Sequence, residues 1–311
     1  MPAKILSIVN MKGGVGKSTV AVSLAEALTL RHRARVLVID LDPQSNASIM
    51  LAGQDRWDGV RMAGRTIDEF FSARLEQIGQ EPLKAYVLED VADVEGCEGL
   101  DIVPATPEFR YVERDAIARF TSKGFAIESV QAKLGSIAAS GLRSVQFDYD
   151  YVIFDCPPGI YLFAESAIAL SDYLILPTVP DYISRLGLVA FWRRALRLLP
   201  HGRREENRAF VLATRFDENS PSQRVQLGEI DRDFNRLNVI IPYNSDIARA
   251  AEWSDDKRSF EQKWRSGAPV LLAMAAEIAQ RVSQVGATAN TAKAPAADSS
   301  GDAPNVQRVL Q

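Results

Sequence analysis

The sequence predicts a single doubly wound α/β domain, with one mostly parallel sheet and helices on both of its faces. Three observations carry that expectation. Short, near-continuous apolar runs recur along most of the 311 residues, separated by helical patterns. Strands buried on both faces read this way, because crossover helices cover a parallel sheet on each side. A glycine-rich loop joins the first apolar run to the first helical pattern. The length suits one large α/β core, with room for no more than a small subdomain.

Taken in order, the apolar runs lie at 5–10, 36–40, 100–104, 151–155, 173–177, 210–214 and 239–242. A helical pattern opens at Ser18 and places Ala21, Leu24, Ala25 and Leu28 on one face. Residues 53–98 are less regular, with scattered Gly, Asp and Arg, and are expected to form a surface insertion of loops and short helices. A helical stretch is expected over 116–145, and a final helix over 269–285 with Leu272, Ala276, Ile278 and Val282 among its apolar positions. From residue 286 the composition shifts to Ala, Thr, Ser, Pro, Asp and Gly, which cannot build a core. One folded domain over 1–285 and a disordered tail over 286–311 are expected.

Composition narrows the function classes. Hydrophobic residues make up 47% and charged residues 24%, as in ordinary globular proteins. No apolar run approaches ~18 residues, so no transmembrane helix is expected. The first strand begins at once, leaving no room for a signal peptide, and two cysteines are too few for a disulfide framework. A cytoplasmic protein is expected. The net charge of −4 still allows a local basic patch. Seven acids in 81–101 face only Lys84, and six arginines in 193–208 face only Glu205 and Glu206.

Asn10-Met11-Lys12-Gly13-Gly14-Val15-Gly16-Lys17-Ser18-Thr19 reads as a phosphate-binding loop between a strand and a helix. Its glycines let backbone N–H groups turn inward, and the helix N-terminus adds partial positive charge. Lys17 would reach β- and γ-phosphates and the Ser18 hydroxyl would ligate Mg²⁺. The ordinary pattern would place its first glycine at position 11, which is Met11, and an extra lysine, Lys12, follows it. The second run ends in Asp40-Leu41-Asp42-Pro43-Gln44. Alternation puts Asp40 and Asp42 on one side, where they could share a magnesium and water network. The fourth run ends in Asp155-Cys156-Pro157-Pro158-Gly159: an aspartate suited to hold Mg²⁺ through water, then a rigid turn beside the γ-phosphate. Cys156 reads as a small buried thiol.

In order and context these three segments resemble the deviant Walker A ATPases, the class that includes MinD, and most specifically the ParA/Soj-type partition ATPases. Ile102-Val103-Pro104-Ala105, residues 169–177 and Ile240-Ile241-Pro242-Tyr243-Asn244 extend the resemblance over about 4–285. Residues 53–98 have no clear counterpart in it. The resemblance implies an ATP-dependent homodimer with nucleotide sandwiched between subunits. Gly13, Gly14, Val15, Gly16, Lys17, Ser18 and Thr19 would cradle ATP, and Lys12 would reach the partner's nucleotide. A lysine supplied in trans stabilises charge on the transferring phosphoryl group, as an arginine finger does. Asp42 would support attack by water and touch Mg²⁺ through water, and Asp155 would be the Walker B aspartate. Thr214-Arg215-Phe216-Asp217 and Pro242-Tyr243-Asn244 match the region around the adenine, with Pro242 and Asn244 as its contacts. Slow Mg²⁺-dependent hydrolysis, stimulated by a ParB-like or cargo adaptor, would follow.

The resemblance also implies nucleoid association through double-stranded DNA bound without sequence preference. Arg193, Arg194 and Arg197 on one predicted helix, then Arg203, Arg204 and Arg208 after it, are the candidates, with Arg224 and Arg249 further along. With no helix-turn-helix before the first strand, operator binding is not expected. A MinD-like membrane cycle needs a basic amphipathic C-terminal helix, whereas residues 306–310 are short and carry only Arg308. No membrane is therefore expected as a partner. A reductase resembling the nitrogenase iron protein needs paired cysteines bridging a cluster. A small-molecule kinase leaves Lys12 without a duty. The acidic stretch 81–101 could receive a basic segment of the stimulating partner.

Overall fold

The structure, a computed structural model, describes residues 1–159, 161–200 and 205–291, without the side chains of 205, 206 and 285–291. The strands are β1 (Lys4–Ile8), β2 (Val36–Asp40), β3 (Leu100–Val103), β4 (Tyr151–Asp155), β5 (Tyr173–Thr178), β6 (Ala209–Phe216) and β7 (Arg236–Pro242). They form one sheet in the order β3-β2-β4-β1-β5-β6-β7, and every pairing is parallel. The helices are α1 (Lys17–His32), α2 (Asn46–Met62), α3 (Ile67–Glu76), α4 (Phe109–Thr121), α5 (Ile127–Arg143) and α6 (Leu162–Leu170). They continue with α7 (Tyr182–Leu198), α8 (Pro221–Asp233), α9 (Ser245–Arg249), α10 (Phe260–Trp264) and α11 (Ala268–Thr291).

Period-two alternation divides each inner strand between two cores. Leu6, Ile8, Val36 and Val38 face one core with α1, α2, α10 and α11. Ile5, Val9, Leu37 and Ile39 face the other, with α3 to α8. Both faces are therefore covered, which is why the strands are apolar along their whole length. The doubly wound parallel architecture expected from the sequence is the one observed.

Three expectations are corrected. Residues 53–98 are not a surface insertion: Ile67, Phe70, Phe71, Leu75, Leu83 and Val87 enter one core, and Val91, Ala92, Val94 and Cys97 enter the other. The stretch 116–145 is two helices, α4 and α5, broken around Gly124, whose φ of +82° suits glycine. The last helix runs beyond residue 285 to Thr291; the rest of the expected tail lies outside the described residues.

A buried ionic cluster fastens residues 91–98 and α10 to α1. Lys263 is fully buried, and its Nζ donates to Glu26 Oε1 on α1 at 2.5 Å and to Asp93 Oδ1 at 2.6 Å. Trp264 Nε1 donates to Glu26 Oε2 at 2.7 Å, and Arg258 Nη2 donates to Asp93 Oδ2 at 2.7 Å. Buried charges persist when each is paired and hydrogen-bonded in this way.

Candidate functional site

The C-terminal ends of β1, β2, β4, β6 and β7 open on one cavity of about 590 Å³, where open α/β sheets bind ligands. At one end lie Gly13 to Val20, Asp42, Gln44, Asn46 and Pro158; at the other, Ile49, Met50, Ile241, Pro242, Tyr243, Asn244, Ile247, Ala248, Ala251 and Leu271. The first end is polar and loop-built, the second mostly apolar. That is the shape of a site for an anion joined to a flat, poorly charged group.

Sequence dictates the loop's course. Gly14 (φ +72°) and Gly16 (φ +91°) take backbone conformations that side-chain-bearing residues resist, and Gly16 caps α1. The side chain of Asn10 braces the loop's start, donating to the Pro177 carbonyl at 2.6 Å and accepting from Lys12 N at 3.0 Å. Lys17 is 6% exposed, and its Nζ donates to the Lys12 carbonyl at 3.2 Å, inside the loop. Burial lowers its pKa, against the raising pull of Asp155 and Asp42. The result is a cationic cradle at a helix N-terminus.

The carboxylates do not share one task. Asp40 accepts from Asp42 N (2.9 Å), Ser48 N (3.0 Å) and Ser48 Oγ (2.6 Å), so it anchors the first turn of α2. This corrects the expectation that Asp40 and Asp42 share a magnesium network: both Asp40 oxygens are committed, and the chain turns away after β2. Asp42 lines the cavity, accepting from Gln44 N at 2.9 Å. Asp155 pairs beside Asp40 in the sheet and is fully buried, yet neither of its oxygens accepts a hydrogen bond of good geometry among the described residues; the nearby Ser18 hydroxyl only pulls its pKa down. Burial, reinforced by neighbouring Asp40, pushes its pKa well above the usual carboxylate range.

A buried carboxylate without a well-formed hydrogen bond, next to Ser18 and a phosphate cradle, fits Mg²⁺. Asp155, Asp42 and the Ser18 hydroxyl are the groups that would hold it with its waters. When bound, magnesium supplies a hard cation that keeps several waters and neutralises phosphate oxygens. Among the described residues no cluster of three or more His, Cys, Asp or Glu is placed to hold a metal by itself. Because the metal needs an ionised carboxylate and burial raises the pKa of Asp155, Mg·ATP affinity is expected to keep rising with pH above the usual carboxylate range. Asp155→Asn should flatten that dependence in calorimetry beyond the titration of ATP itself; an equal slope in the variant would refute the assignment.

Pro242 and Asn244, expected beside the adenine, do line the apolar end. Sequence reading missed Ile49, Met50, Ile247, Ala248, Ala251 and Leu271 there, because three separate segments bring them together. It placed Thr214 and Arg215 near the base but not their bonds. Thr214 Oγ1 donates to the Val15 carbonyl at 2.9 Å, and Arg215 Nη1 to the Gly14 carbonyl at 2.7 Å.

Lys12 leaves its own cradle. Its Nζ donates to Asp181 Oδ2 at 3.1 Å and to Ser184 Oγ at 2.8 Å, at the start of α7. Beside it in the chain Met11 is 46% exposed, and beside Asp181 Tyr182 and Ile183 are 58% and 72% exposed; the cavity it lines is otherwise largely polar, with Asp181, Arg215, Asp217, Glu218, Asn219 and Gln223.

The arginine candidates separate. Arg193 and Arg197 lie exposed on α7. Arg194 is also on α7, ion-paired with the buried Glu165. Arg208 is corrected: it is 6% exposed and donates to the carbonyls of Asp172 (2.6 Å), Ser171 (2.7 Å) and Pro200 (3.3 Å), so it stitches the sheet rather than offering a surface. Arg203 and Arg204 lie outside the described residues. Both cysteines are buried and burial pushes both thiols up, so neither is a reactive thiolate. No described helix is long and apolar enough to cross a membrane.

A glycine loop after the first strand, a buried lysine in it and a buried aspartate at the end of an adjacent strand define a P-loop nucleotide-binding α/β protein. Comparison with known proteins makes the class specific. The family model AAA_31, described as AAA domain, matches residues 3–204. The chain belongs to that family, and it is a P-loop ATPase of the ParA/Soj type. It is 27% identical over 284 residues to the sporulation initiation inhibitor protein Soj of Bacillus subtilis, covering 89% of this chain and 98% of Soj. It is 26% identical over 282 residues to the chromosome partitioning protein ParA of Myxococcus xanthus, covering 89% of this chain and 88% of that protein. Among solved structures, a plasmid partition protein from Borrelia burgdorferi B31 bound to AMPPNP superposes with a TM-score of 0.64 at 19% identity, over 92% of this chain and 99% of that one. At that identity the likeness speaks for the fold.

Proposed function

We propose that this chain is an ATP-driven positioning protein that forms an ATP-sandwich homodimer, binds double-stranded DNA without sequence preference and lets go after partner-stimulated hydrolysis. The observation that carries it is the placement of Lys12. Lys17 fills the cradle, while Lys12 points out of it to Asp181 and Ser184, next to the exposed Tyr182 and Ile183, where a second copy could dock. Its tie to Asp181 is an exposed ion pair, worth no more than about 1 kcal/mol, so a dimer can break it. In the dimer Lys12 stabilises charge on the partner's transferring phosphoryl group, and Asp42, at the cavity wall, orients the attacking water. Soj and the chromosome partitioning ParA proteins are relatives over most of the chain, which supports a partition role and a ParB-like stimulator.

The DNA face is Arg193 and Arg197, with Arg194 released from Glu165 if phosphate competes for it. Two copies of a weak phosphate-binding patch act together once dimerised, which links DNA affinity to ATP. Light scattering and DNA binding across a salt series test the reading with ATP, with ADP and without nucleotide. Dimers and salt-sensitive DNA binding are expected with ATP alone, persistent in Asp42→Ala because hydrolysis is blocked. Ile183→Glu is expected to prevent dimers while leaving ATP binding intact. A monomer that hydrolyses ATP at full rate and ignores DNA would sink the proposal.

A further inference from the structure

Arg215, near the end of β6, has φ of +51°, a left-handed conformation uncommon for a residue with a side chain. From there its guanidinium reaches back over the phosphate loop. Nη1 donates to the Gly14 carbonyl at 2.7 Å, and the guanidinium carbon sits 5.7 Å from the centre of the Tyr243 ring. Thr214, one residue earlier, bonds the Val15 carbonyl. Consecutive β6 side chains therefore hold consecutive carbonyls of the loop.

The chemistry of the loop explains why that matters. A loop that turns its N–H groups toward an anion turns carbonyls outward. An outward carbonyl held by a charged donor fixes the peptide plane, and with it the N–H groups on the other side. Gly14, at φ +72°, has a glycine's backbone freedom and is the residue Arg215 holds. Arg215 and Tyr243 also both line the nucleotide cavity and a second cavity of about 950 Å³ on the Lys12 side, so with Gly13, Gly14, Val15 and Pro242 they form the wall between them.

We propose that Arg215 is a positioning residue for the nucleotide: it fixes the Gly14 peptide for phosphate binding and holds Tyr243 as the outer wall at the base end. This rests on the ATP-binding reading above. The planar guanidinium does both at once, by hydrogen bond and by cation–π stacking; glycine would fit the backbone better but do neither.

That contrast provides the test. Arg215→Gly and Arg215→Asn both suit a left-handed backbone, so relief of backbone strain alone predicts an unchanged or raised unfolding midpoint and unchanged binding, whereas a bracing role in the fold predicts a lowered midpoint. The positioning role predicts the same unfolding midpoint with ATP affinity weakened about tenfold or more. It further predicts a raised KM, and partial rescue by Arg215→Lys, which keeps a charged donor but not the stacked plane. Wild-type affinity in the Gly and Asn variants would overturn the proposal, as would a loss of affinity explained by a lower midpoint. Failure of the unsubstituted protein to bind ATP would instead overturn the reading beneath it, and is told apart by that control.

Discussion

Lys17→Ala is expected to abolish ATP binding while leaving the protein folded. Lys17 is the one ammonium group buried in the cradle, and its Nζ now rests on the Lys12 carbonyl, a contact that phosphate oxygens can replace. Each charged hydrogen bond lost costs about 1.5–3 kcal/mol, so loss of two weakens binding by a hundredfold or more. The fold has less at stake: the side chain contributes no core packing, and burial already opposes its charge. In thermal melts the wild type should shift upward with Mg·ATP and the variant should not, their melts without nucleotide staying within a few degrees. A variant that retains most of the ligand-induced shift would show that the cradle is not the phosphate site.

The largest stability effect is expected at Lys263, far from the nucleotide in sequence. Its ammonium is enclosed with the Glu26 and Asp93 carboxylates, all three essentially without solvent exposure. Removing one partner of a buried ionic group leaves charge without compensation and costs about 3–5 kcal/mol. Lys263→Ala should therefore lower the urea midpoint by a large fraction of total stability. Asp93 keeps Arg258 at 2.7 Å, so the stranded charge is chiefly Glu26, whose pKa burial already raises. Combining Lys263→Met with Glu26→Gln should recover part of the loss. A cost below about 1 kcal/mol for Lys263→Ala, or no recovery in the pair, would show the cluster to be incidental.

Elements whose residues are neighbours in sequence were legible; those built from distant partners were not. The strands at 36–40 and 151–155 are apolar because helices cover both faces, and that pattern is local. The loop from Lys12 to Thr19 is local too, as are the aspartates that end two strands. Residues 53–98 misled because their acids suggested a solvated surface. Asp93 is in fact neutralised by Arg258 and Lys263, some 165 and 170 residues away, which no local pattern displays. Arg208 looked like one more member of a basic run, but the carbonyls that bury it belong to the turn before β5 and to Pro200. The apolar run correctly put Asp40 at a strand end; what it could not show was Ser48 folding back onto one carboxylate oxygen while Asp42 N takes the other. The apolar end of the cavity escaped for the same reason, since Met50, Ile247 and Leu271 meet only after the sheet is assembled.

The clasp of Glu26 by Lys263 also sets a schedule. The helix that follows the phosphate loop leaves the ribosome 237 residues ahead of its counter-charge. Until α10 and α11 emerge, α1 carries a carboxylate with no ammonium and an apolar flank with no cover. Contacts spanning 237 residues are slow to form, and chains holding exposed apolar surface meanwhile are candidates for chaperones. A nascent chain therefore cannot complete the scaffold behind its nucleotide pocket until α10 has followed α1 out by that distance.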